Sequence, residues 1–61
     1  MVKLIYKNNY DCTISINEKE YDINRDEWTC IKKYGGRFDY PSDITFEDKI
    51  AVQLLLNEVF E

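Results

Sequence analysis

Two thiols, twelve carboxylates and no imidazole form the reactive inventory of this 61-residue chain. A nucleophile at Cys12 or Cys30 would need a base to take its proton, and histidine, the usual base, does not occur. Two cysteines without histidine also fall short of a four-ligand zinc site. Paired carboxylates could do acid–base work, but so short a chain can hardly enclose the pocket a small substrate requires. Asp39, Asp43 and Glu47 depart from the spacing of a calcium loop and lack its glycine. Lys32-Lys33-Tyr34-Gly35-Gly36-Arg37 sets glycine beside lysine, yet the Walker spacing and its Lys-Ser/Thr ending are missing. Helix capping explains that segment better. These residues predict neither an enzyme nor a cofactor or metal site.

Five tyrosines (Tyr6, Tyr10, Tyr21, Tyr34 and Tyr40), with Trp28 and Phe38, could stack on single-stranded bases. Such platforms usually sit in positive grooves, and this chain carries a net charge of −4. Tyrosine suits core edges and protein interfaces equally well. The charge disfavours nucleic acid and anionic membrane and favours a basic partner. Glu18, Glu20, Asp22, Asp26 and Glu27 make one acidic run; Asp39, Asp43, Glu47 and Asp48 make another. Spaced carboxylates can imitate the phosphates of a nucleic acid and occupy a basic groove. Their alternative role is a solvated surface that keeps the protein in solution.

The elements that must position these residues read as an α+β domain spanning 1–61. Val2 to Lys7 alternates, with Val2, Leu4 and Tyr6 on one face. Asn8 to Asp11 is turn chemistry. Cys12, Ile14 and Ile16 share the inner face of a second strand, and Glu18-Lys19 makes a polar turn. Glu20 to Ile23 returns as a short third strand carrying Tyr21 and Ile23. The prediction is an antiparallel meander of two or three strands with one wet face.

A short central helix follows. Asn24 and Glu27 form a capping box, Ile23 and Trp28 a hydrophobic staple, and Gly35 a left-handed cap. Trp28, Cys30, Ile31 and Tyr34 share one arc. Residues 28–34 could instead form a strand closed by Gly35-Gly36, but the helix signals agree with one another. Both cysteines are expected as small buried core residues. Arg37 to Tyr40 reads as extended. A longer helix starts after Thr45, with Asp48 as its capping partner, and runs to about Phe60.

That last helix is too apolar for one buried face. Ala51, Val52, Leu55, Leu56, Val59 and Phe60 make an arc to pack on the sheet. Phe46, Ile50 and Leu54 make a second row. Either neighbouring segments cover this row or it is a contact surface, with Asp39, Asp43, Glu47 and Glu58 near its rim. A domain this small has trouble covering both sides of a helix.

The functional expectation is therefore a small acidic non-enzymatic protein-binding domain. Its coding bias toward Ile, Lys, Asn and Tyr fits an AT-rich bacterium or a phage. In concrete form it would be a phage- or mobile-element-type inhibitor that occludes a basic surface of a host enzyme or defence complex. A homodimeric accessory or structural subunit is one alternative. A nucleic-acid-binding regulator using Lys3, Lys7, Lys32, Lys33 and Arg37 is another. The opening residues lack a long apolar run, so a cytoplasmic protein with reduced thiols and no membrane span is expected.

Overall fold

Alternating apolar and polar residues build the first half of the chain as a meander. The computed structural model describes all residues, Met1–Glu61. Three strands, β1 (Val2–Lys7), β2 (Asp11–Ile16) and β3 (Lys19–Asn24), pair antiparallel in the order β1-β2-β3. Central β2 contributes Cys12, Ile14 and Ile16 to the buried face, and Ile23 joins them from β3 opposite Cys12. The other sheet face, with Thr13, Glu20 and Asp22, carries no helix, and Thr13 Oγ1 donates to Asp22 Oδ1 across the strands at 2.7 Å.

Turn chemistry fixes both hairpins. Asn8 Oδ1 accepts from the backbone N–H groups of Tyr10 and Asp11, an Asx-type turn. Ile16 pairs directly with Lys19, so the second turn is Asn17-Glu18, one residue earlier than Glu18-Lys19. Asn17 and Glu18 both have positive φ, 51° and 73°. The right-handed twist of the flanking strands selects this left-handed pair over an ordinary turn. Asparagine tolerates it; glutamate does so at a cost of about 1 kcal/mol.

Strand β1 departs from simple alternation. A bulge between Leu4 and Tyr6 shifts the register, so Tyr6 pairs with Thr13 and Lys7 with Cys12. Residues paired across strands share a face. Tyr6 therefore lies on the open face, not with Val2 and Leu4 as strict alternation predicts. A bulge adds a residue that periodicity of two cannot anticipate.

Helix α1 (Arg25–Tyr34) begins with the expected capping box. Asn24 Oδ1 accepts from Glu27 N–H at 2.8 Å, and Asn24 Nδ2 donates to Glu27 Oε1 at 2.9 Å. Gly35 adopts φ 71°, and Gly36 N–H returns to the Cys30 carbonyl at 3.1 Å. Trp28 is buried and Ile31 packs against the core, but Tyr34 and Cys30 are exposed. Only Cys12 is a core thiol. The arc narrows because α1 meets the sheet chiefly at β3, where Trp28 is buried and Ile31 packs against the core.

Residues 35–45 form no strand; Arg37 to Tyr40 is held by side chains instead. Tyr40 N–H bonds the Phe38 carbonyl across a tight turn. Phe38 packs between Tyr21, tilted against it, and Tyr40, edge-on, with centroids 5.8 and 4.9 Å away. Helix α2 (Phe46–Phe60) starts at its Thr45 cap, which accepts from Asp48 N–H. Val52, Leu56 and Phe60 complete the core, and Ala51, Leu55 and Val59 are half-buried beside them. No helix is long and apolar enough to cross a membrane.

Candidate functional site

The second row of α2 remains uncovered. Phe46, Ile50 and Leu54 are 75%, 43% and 63% exposed, although the core closes without them. Neither α1 nor the Tyr40 segment reaches over the row. Tyr40 turns toward Phe38, and Lys49 Nζ lies over its ring at 5.5 Å.

Leu54 is also one wall of a shallow groove between α2 and the β1 edge. Val2, Leu4, Ala51 and Leu55 line it, and Glu58 closes one end. Leu4, 38% exposed, was not singled out by the sequence as a surface residue. Its alternation assigns it to the core, and that placement fails because β1 is an edge strand with only α2 beside it.

The acidic residues divide. Asp43 sits in the Pro41–Ile44 turn just before α2, and Glu47 and Glu58 lie on α2 itself. Asp39 does not join that rim. It lines a second open groove, about 330 Å³, with Asp22, Glu27, Arg37, Cys30 and Phe38. Asp39, Asp43 and Glu47 do not converge, and no cluster of three or more Cys, Asp or Glu is placed to hold a metal ion. Cys12 is buried, and loss of hydration, with Asp11 and Asp22 nearby, pushes its thiol above the ordinary range. It is a poor nucleophile by position as well as by chemistry.

The cations are dispersed. Lys3 and Lys7 lie on β1, whereas Lys32 and Lys33 end α1 at the opposite side of the sheet. Lys32 also pairs with Glu61. Arg25 is a structural clamp that composition does not reveal. Its Nη1 donates to the Phe60 carbonyl at 2.7 Å, its Nε and Nη2 donate to the Asn9 carbonyl, and its guanidinium lies over the Phe60 ring. The available signal was the last turn of α2, which has no basic residue of its own. Comparison with protein-family models, with curated proteins and with solved structures finds no match, so the site is read from its own geometry.

Proposed function

We propose that this chain is a small acidic protein-binding domain with no catalytic role, an inhibitor-type protein that occludes a basic surface of its target. The observation that carries the reading is the exposed Phe46–Ile50–Leu54 row on a helix whose other side already fills the core. Contiguous exposed apolar surface marks contact sites. Asp43 and Glu47 flank one end of the row and Glu58 the other, a polar rim suited to steering a basic partner. A cytoplasmic setting with reduced thiols fits the unpaired Cys12 and Cys30. Dispersal of the lysines gives the nucleic-acid alternative no comparable support.

The test compares Ile50→Asp with the double variant Asp43→Lys, Glu47→Lys, after folding is checked by circular dichroism. Tagged protein is used to capture partners from bacterial cells expressing it. The reading expects a cationic partner that is retained by the native chain and lost with folded Ile50→Asp. The charge reversal should slow association and flatten its salt dependence. Native chain that recovers nothing more than Ile50→Asp does would overturn the reading.

A further inference from the structure

The two edges of the sheet differ. Strand β1 carries Lys3 and Lys7, a register shift between Leu4 and Tyr6, and α2 alongside. Lysines, bulges and a covering helix all discourage another chain from pairing with an edge. Strand β3 keeps unbroken register and offers carboxylates at Glu20 and Asp22. Its one lysine, Lys19, stands at the hairpin end with its ammonium over the Tyr21 ring. The left-handed Asn17-Glu18 turn closes on the bonded pair Ile16–Lys19, and the bond from Arg25 N–H to the Tyr10 carbonyl continues the same alternation. Glu20 and Asp22 fall between bonded pairs, so their N–H and C=O groups point away from β2. No bond from the segment after α1 reaches them, since Gly36 and Tyr40 donate to Cys30 and Phe38 instead. A groove runs along this free edge. Tyr21, paired with core Ile14, and Asp22, paired with Thr13 on the open face, both line it. Ile31 and Phe38 give it an apolar wall, and Glu27 and Asp39 add their carboxylates to that of Asp22. Arg37 is the one cation lining it and makes no ion pair with them.

We propose that this groove takes an extended peptide segment of a partner, with basic residues alternating with apolar ones, which adds to β3 as a fourth strand. Backbone pairing to an open edge supplies affinity, and alternate side chains supply the selection. A side chain beside Asp22 lies on the open face, where lysine or arginine meets carboxylate. The next lies on the helix side, where an apolar group meets Phe38 and Ile31. Pairing with a second copy's β3 would set acid against acid at Glu20 and Asp22, and like charges directly opposite destabilise a strand pair. An acidic segment is repelled for the same reason. The basic occupant alone satisfies both the free backbone groups and the surplus of carboxylates. With strand order β1-β2-β3 and α2 beside β1, this edge lies across the sheet from the Phe46–Ile50–Leu54 row.

The inference goes beyond the binding reading, because it assigns a second surface of its own. Its test titrates the full chain with short, end-capped peptides of alternating lysine and valine, followed by amide chemical shifts and hydrogen exchange. The Glu20 and Asp22 N–H groups should shift together and gain protection, whereas the β1 amides should not. Asp39→Lys should weaken binding about fivefold and Arg37→Glu should strengthen it about fivefold. Both residues are exposed and neither side chain makes a hydrogen bond, so both variants should stay folded. Proline in place of the central valine keeps every charge but removes an N–H, and should abolish the protection and most of the affinity. Equal binding of the proline peptide would reduce the site to charge attraction and overturn strand addition. Equal binding of a glutamate–valine peptide would overturn the basic occupant. Shifts confined to β1 or α2, or no shift with peptide in large excess, would overturn the site. Ile50→Asp should leave the titration unchanged, so this edge and the row on α2 stand or fail separately.

Discussion

The two helices solve the same problem in different ways. Helix α1 buries a single residue, Trp28, and seals both ends with its own neighbours, Asn24 with Glu27 and the left-handed Gly35. Helix α2 spreads its buried contacts over Val52, Leu56 and Phe60 and seals its carboxyl end with Arg25, borrowed from α1. One is locally complete and anchored at one point. The other is anchored broadly, depends on its partner at one end, and still has apolar surface left over. The difference shows where surplus hydrophobicity is informative. On α1 the core accounts for Trp28, and on α2 the core leaves Phe46, Ile50 and Leu54 unaccounted for.

The largest expected effect tests the single anchor. Trp28→Ala should cost about 3–5 kcal/mol, which approaches the whole stability of a small domain. Phe46→Ala, an equally aromatic loss on α2, should stay within about 0.5 kcal/mol. Thermal unfolding of the pair decides the contrast. Equal losses would mean that α2 has no spare surface.

Next comes the borrowed cap. Arg25→Ala should cost about 2 kcal/mol, because it removes charge-assisted bonds to two carbonyls at once. Amide exchange should rise first in the last turn of α2. Arg25→Lys should recover little, since an ammonium cannot span both carbonyls as the planar fork does. Rescue by lysine would reduce the clamp to simple charge.

A control lies outside both helices. Glu18→Gly should raise stability by up to about 1 kcal/mol by relieving the left-handed residue of the β2–β3 turn. Gain in melting temperature without change in association would separate hairpin strain from either helix. A loss would assign Glu18 a contact that outweighs its strain.

The smallest effect concerns the amino end of α1. Tyr10 donates its hydroxyl to Asp26 Oδ2 at 2.7 Å. This bond, followed by lost hydration and the charges of Asp26, Asp11 and Glu27, raises its pKa. A raised folded pKa stabilises below the ordinary phenol value, near about 10, and that stabilisation disappears as pH rises through the folded value. The buried Cys12 thiol, also raised, acts in the same direction from its own ordinary value upward. Denaturant titrations at rising alkaline pH should show this decline, less steep in Tyr10→Phe. An identical decline in the variant would leave the Tyr10–Asp26 bond without energetic weight.

Much of the architecture was written in local patterns. Cys12, Ile14 and Ile16 alternate, Asn24 and Glu27 stand at capping distance, and Gly35 follows the last helical turn. Each follows from a backbone period or a nearby hydrogen-bonding group, so a few adjacent residues suffice. The buried arc of α2 and its surplus row were legible for the same reason, since helical periodicity separates them without knowledge of the neighbours. What only the tertiary structure decided depends on which elements meet. The β1 bulge turned Tyr6 to the open face, the docking of α1 chiefly on β3 left Cys30 exposed, and the edge position of β1 left Leu4 in a groove. Asp39 joined Asp22 and Glu27 rather than the α2 rim, and Arg25 became a clamp, because both depend on chain segments distant in sequence. Periodicity tells a residue which side of its own element it occupies, whereas the packing of elements decides whether anything stands on that side.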